Sequence, residues 1–195
     1  VYEPSTWHLA DDGLGWIAAV SLEIREYNPG WLAAASRAIA ELLSELPAVF
    51  IHVEHIGSTA IPGLAAKPVI DLMAAVETLD VALGHESELA ALGYERVAAG
   101  MPNRLLYARH QEGRTSYHLH VVLQGSWDTR NERLLRDYLR SHPEDAVRYA
   151  ALKRQLGSVQ ASSADYTRGK TTLIQELTDR ARAERGMPSV AVWEE

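Results

Sequence analysis

The chain has no cysteine among its 195 residues, which excludes disulfide staples, thiolate catalysis and any zinc site built on sulfur. A bound metal has to be held by His, Asp and Glu. The chain also has no uncharged apolar run near the roughly 20 residues that a membrane span needs, and its first residues, VYEPSTWHLADDG, lack the basic start and apolar stretch of a signal peptide. A cytoplasmic protein without a membrane partner is expected. Basic residues are in deficit: 19 Lys and Arg stand against 26 Asp and Glu, a formal charge of -7. Broad, sequence-independent nucleic-acid binding depends on many cations displacing counterions from phosphates, so it is not expected. A small anion held by a few local cations stays open.

What is present is the make-up of a folded domain, with 47% hydrophobic and 23% charged residues. The length suits one domain over 1–195, with a core over 27–185 and a loose tail over 186–195. After the turn signal YNPGW, apolar residues recur at three and four over 32–46, which predicts an amphipathic helix ending before Pro47. In 48–56, AVFIHVEHI, apolar and mixed positions alternate as in a strand. A second strand is read in PVIDLMAAV and a short helix over 86–93, closed by Gly93. RLLYARH and SYHLHVVL read as a hairpin across QEGRT, and helices are expected over 129–141, 144–156 and 165–185. The order predicts an α+β fold: a mixed, largely antiparallel sheet packed with helices, and a helical C-terminal third.

The stretch EHIGSTAIPGLAAKPVIDL, 54–72, sets a Gly-Ser pair after an apolar run and a lone carboxylate, Asp71, further on. Gly57 tolerates unusual backbone, and the Ser58 hydroxyl with the amides around Thr59 can donate to phosphate oxygens. The same pair also serves as a plain turn between two strands. Asp71, among apolar neighbours, needs a partner if it is ionised. Lys67 is the structural answer and a metal the functional one. His118 and His120, two apart on a strand, point to one face and can share a metal or grip a phosphate. Arg104 and Arg109 on the partnering strand, with Arg168 and Lys170 at a helix start, are the nearby candidates for phosphate neutralisation. ADYTRGKTT imitates the end of a phosphate-binding P-loop, but Ala164 stands where the first glycine is needed and no strand precedes it.

These stretches, together with HLHVV, RDYLRSHPEDAVRYAALKRQL and YTRGKTTLIQEL, resemble the GrpB family, whose members look like nucleotidyltransferase-fold proteins. The resemblance implies a sheet of nucleotidyltransferase type, in which Gly57 and Ser58 match the Gly-Ser turn and Asp71 the first metal-holding carboxylate. The position of the second carboxylate is Met73, and Asn28 stands where the family pattern more often has Asp. The resemblance thus implies a metal- and nucleotide-dependent transferase that moves a nucleotidyl or phosphoryl group to a small-molecule acceptor, with ATP-driven ligation as a variant. In that reading Asp71, His118 and His120, with Glu54, hold a divalent metal, Mg or Mn or else Zn. Gly57, Ser58, Thr59, Lys67, Arg104 and Lys170 bind the phosphates of a nucleoside triphosphate. Two alternatives stay open: a metal-dependent hydrolase, and a non-catalytic nucleotide- or phosphate-binding accessory module.

Overall fold

Trp31, Ala34, Ala35, Ala38 and Leu42 fall on one side of α1 (Gly30–Glu45) and bury it against the sheet. The computed structural model that shows this describes residues 24–98, 101, 103–110, 116–158 and 163–192. Asn28 accepts the backbone N–H of Gly30 at 2.8 Å, so it supplies the acceptor that an Asp before the proline would supply.

Strand β1 (His52–Ile56) starts four residues later than the alternation suggested. Ala48 takes a positive φ of 65°, and Val49 and Phe50 are both buried while Ile51 is 45% exposed. A stretch that buries two successive side chains is a bend, not a pleat. A 3-10 turn, Ser58–Ala60, leads towards β2 (Val69–Val76). The short helices α2 (Leu79–Leu83) and α3 (Glu86–Ala91) follow, then β3 (Glu95–Val97), β4 (Arg104–Arg109) and β5 (Ser116–Leu123). Neither α2 nor β3 was anticipated, because five and three residues are too few for a period to register. Gly93 has φ +82° after α3, as the expected cap requires.

The five strands run in the order β1-β2-β5-β4-β3. β1 pairs antiparallel with β2, and β4 with both β3 and β5, while β2 and β5 are parallel neighbours at the centre. Central parallel strands are covered on both faces and carry long apolar runs. That is why β2 and β5 read so clearly. The expected β4–β5 hairpin forms, and its QEGRT connection lies outside the described residues.

Ile70, Leu72, Leu119 and Val121 face α1 and belong to the main core. On the other face Ile56, Met73, Ala75, Val122 and Trp127 form a smaller cluster. The chain leaves β5 through a second 3-10 turn, Gln124–Thr129, into α4 (Asn131–Ser141), α5 (Pro143–Ser158) and α6 (Ser163–Ala183). These helices close a separate apolar cluster over the loop after the Gly-Ser turn, with Ile61, Leu64 and Ala65 set among Leu134, Tyr149 and Leu177. The stretch expected to be loose is hydrogen-bonded as far as Val192: Pro188 O accepts from Arg182, Ala191 O from Asn131, and Val192 N donates to Gln175. Residues 193–195 lie outside the described residues. Among the described residues no helix is long and apolar enough to cross a membrane.

Leu119, fully buried at the centre of β5, tests this account of the core. Leu119→Ala is expected to lower the unfolding free energy by about 2–5 kcal/mol, read from urea unfolding of the two proteins.

Candidate functional site

The register across the two central strands decides the geometry. Asp71 on β2 lies beside His118 on β5, and Met73 lies beside His120. Because side chains alternate along a strand, the same alternation that sends Ile70 and Leu72 into the core turns Asp71 to the opposite face. His118 Nδ1 donates to Asp71 Oδ1 at 3.3 Å, and His120 Nε2 is 3.9 Å from the same oxygen. One ligand atom from each of the three residues lies within 4.8 Å of the others.

Burial by itself raises a carboxyl pKa. At Asp71 the hydrogen bonds and charges of His118 and His120 outweigh it and hold the carboxyl well below the usual carboxylate range. His118 shows the converse: burial disfavours its charged form, but the Asp71 carboxylate prevails and raises its pKa. Lys67, the simple salt-bridge partner considered for Asp71, points elsewhere. Its Nζ stands 4.2 Å over the ring of Tyr166.

The Gly-Ser turn is built against this carboxylate. Gly57 has φ 70° and ψ -172°, a region essentially restricted to glycine, and a Cβ there would run into the Asp71 carboxylate. Tyr149 of α5 stands near enough to Ser58 for the serine to act on its hydroxyl, which burial pushes up to about 12. Thr59 is engaged by the scaffold: its hydroxyl donates to Val69 O at 2.9 Å and meets His55 Nε2 at 2.9 Å. With Thr59 already donating to Val69, the His55 ring nitrogen is the donor to Thr59. Burial lowers the His55 pKa to about 4, so the ring is neutral near pH 7.

The cations sort into two sets. Lys67 and Lys170 converge on one ring, Tyr166, with Lys170 Nζ 4.4 Å from its centroid. The Lys170 pKa falls to about 8, through burial first and then the charge of Lys67, with Asp71 opposing. The arginines are committed to other partners. Arg104 donates to Glu132 at 2.5 Å and meets His120 Nδ1 at 3.3 Å, so it touches the site as a support. Arg109 is bound to Glu41 and lies over the rings of Tyr94 and Tyr117. Arg168 pairs with Asp165.

Glu54, expected beside Asp71 as a metal ligand, is not brought into the three-residue group. Arg133 donates to both of its carboxylate oxygens, at 3.1 and 3.0 Å, and Arg136 donates at 2.6 Å. Although burial raises its pKa, these bonds lower it overall. Sequence reasoning missed this clamp, as well as Tyr149, Tyr166, Lys153 and Glu132. Tyr149 and Lys153 are spaced i, i+4 on α5, and Tyr166 lies in the stretch that imitates a P-loop. The helical spacing was the available signal.

A Gly-Ser turn between two strands, a carboxylate on the second, and two histidines on its parallel neighbour belong to a domain of nucleotidyltransferase-like fold. That fold is shared with the Cid1 poly(U) polymerase solved with MgGTP, at TM-score 0.50 and 18% identity over 69% of this chain and 44% of that one. The family model described as GrpB protein matches residues 21–180, and the chain belongs to the GrpB family. The crystal structure of the conserved protein GrpB from Enterococcus faecalis superposes at TM-score 0.76 with 30% identity, covering 84% of this chain and 99% of that one. The UPF0157 protein YqkA of Bacillus subtilis (strain 168) is 32% identical over 163 residues, which are 83% of this chain and 47% of that protein. The chain thus spans about half the length of that relative.

Two substitutions probe this geometry. Gly57→Ala is expected to cost about 1–3 kcal/mol, read as a lower melting temperature. Glu54→Gln is expected to destabilise by about 1–3 kcal/mol at neutral pH, read from urea unfolding, since two arginines lose a charged acceptor. The pKa of Glu54 is depressed in the folded chain, so its contribution is present above the ordinary carboxylate range and lost as pH falls through the depressed value. The stability gap between wild type and Glu54→Gln should therefore close on acidification.

Proposed function

We propose that the chain is a metal- and nucleotide-dependent transferase that moves a nucleotidyl or phosphoryl group to a small-molecule acceptor. The observation that carries this reading is the convergence of Asp71, His118 and His120 beside a Gly-Ser turn that closes directly onto Asp71. Ser58 and the turn bind the terminal phosphates. Lys67 and Lys170, both over Tyr166, neutralise charge that develops on them.

Asp71, His118 and His120 would hold the cation. Two imidazoles and one carboxylate suit Mn or Zn better than Mg, which prefers oxygen donors and keeps its waters. When bound, the ion supplies Lewis-acid stabilisation of the transferring group. The His118 nitrogen that faces Asp71 is Nδ1, whose proton would have to leave before that nitrogen could hold the ion. Met73 does not leave a hole in the donor set, because its register partner is His120. A donor from β5 stands next to where β2 has none.

One observation favours the second reading, a phosphate-binding module without transfer. A guanidinium can only donate, so Arg104 at His120 Nδ1 makes that nitrogen an acceptor and puts the ring proton on Nε2, facing Asp71. A cation bound at Nε2 requires that proton to move and Arg104 to rest on Glu132 alone.

Calorimetry with ATP, GTP, CTP and UTP, each with and without Mn, Zn or Mg, separates the readings. At least one nucleotide is expected to bind more tightly with Mn than alone, and Asp71→Ala is expected to weaken Mn binding by at least about 10-fold. Nucleotide binding that ignores metal and survives Asp71→Ala would establish the module instead. No binding of any nucleotide at millimolar concentration would sink both.

A further inference from the structure

Lys153 takes no part in the site as described so far. It lies on α5, is 2% exposed, and its Nζ has no hydrogen-bond partner among the described residues. The ammonium stands 4.5 Å from the centroid of the Tyr149 ring. A cation–π contact of this kind offsets only part of what a buried ammonium loses by leaving water. Cores do not ordinarily retain a lysine in this state, and an apolar side chain of the same length would fill the space without that loss.

The surroundings supply a reason to keep it. Tyr149 links Lys153 to the Gly-Ser turn, since the same tyrosine stands beside Ser58. Lys170 on α6 is near enough to repel Lys153, and Lys67, in the loop before β2, is near enough to repel Lys170. Three lysines from three segments thus converge on two tyrosine rings, while Asp71 is already occupied by two histidines. Like charges gathered out of water are stabilised when an anion spans them, and Asp71, which also acts on Lys170, is not given over to the lysines alone. The anion has to be extended, because Lys67 and Lys170 sit on one ring and Lys153 on the other.

We propose that Lys153, with Lys170, Lys67 and the Ser58 turn, forms a cradle for a linear polyphosphate, either free or carried by a nucleotide. The proposal rests on the reading that the Ser58 turn binds phosphate, and it names the ligand class of that site. The phosphate chain runs from Ser58 past Tyr149 to the facing sides of α5 and α6. In the empty cradle burial, and then the charges of Lys170 on α6 and Arg154 on α5, push the Lys153 amine well below the ordinary lysine range. Beside an anion the charged form is favoured again. Anion entry is therefore accompanied by uptake of a proton.

The test uses the whole chain in chelator, free of metal, titrated with tripolyphosphate, pyrophosphate, orthophosphate and ATP. Tripolyphosphate and ATP are expected to bind more tightly than pyrophosphate, and orthophosphate least. Binding heats in buffers of different ionisation enthalpy should reveal the proton taken up. Lys153→Met should weaken tripolyphosphate binding by about 10- to 100-fold, reduce the proton uptake to the part that Lys170 supplies, and leave the melting temperature of the empty protein unchanged or raised. Lys170→Met, at the other end of the cradle, should also weaken tripolyphosphate binding. Should ATP bind where tripolyphosphate does not, the anion arises only as part of a nucleotide and the free-polyphosphate form of the proposal is overturned. Tripolyphosphate affinity unchanged in Lys153→Met, or a lowered melting temperature with binding intact, makes Lys153 a packing residue and overturns the cradle. The assay contains no metal, so nucleotide binding that ignores metal in the Asp71→Ala experiment leaves its result standing. Intact metal-dependent nucleotide binding in Lys153→Met would, conversely, reject the cradle alone.

Discussion

A carboxylate in the middle of an apolar strand has to be partnered, and the partnership of Asp71 with His118 and His120 sets much of what surrounds it. It requires β2 and β5 to be parallel neighbours in one particular register. A slip by one residue would put the histidines into the core face and leave the carboxylate without its donors. It also requires the backbone after β1 to come close enough that only a glycine fits at 57. The turn, the register and the charge pattern form one constraint.

The C-terminal helices are tied to that constraint by arginines on α4. Arg133 and Arg136 hold Glu54 on β1, Arg136 also donates to His55 O, and Arg140 donates twice to Ala60 O, just past the Gly-Ser turn. Arg133 lies over Trp127, and that indole stacks on His52. These contacts fix α4 against the edge strand and the turn, and through the short link to α5 they fix where Tyr149 and Lys153 arrive. A helix placed by directional bonds to backbone carbonyls has less freedom to slide than one placed by apolar contact alone.

The sequence was most legible where one physical signal dominated. The central strands, the amphipathic α1 and the three late helices follow from apolar period, and the two-residue spacing of His118 and His120 placed them on one face. Three-dimensional pairing was harder to read. Nothing near Glu54 in the chain shows that arginines some eighty residues later will claim it, so a carboxylate next to a Gly-Ser turn was naturally read as a ligand. Lys67 was weighed against Asp71 because four residues separate them, yet the loop between them carries the amine to an aromatic ring on α6. Local spacing reveals which face a side chain takes, and only the tertiary fold reveals which of several opposite charges it meets.

The exchange of a carboxylate for methionine at position 73 acquires a meaning from the same register. Asp71 and a second acid two residues on would place two negative charges on one face of β2. Here the position is fully buried, and the donor beside it comes from β5 as an imidazole. An imidazole there, in place of a second carboxylate, turns a like-charge repulsion beside Asp71 into an attraction. It also lets Asp71 be satisfied within the sheet, by the His118 hydrogen bond and the nearby His120 ring. The carboxylate is therefore partnered within the fold, and His120 stands between it and Arg104.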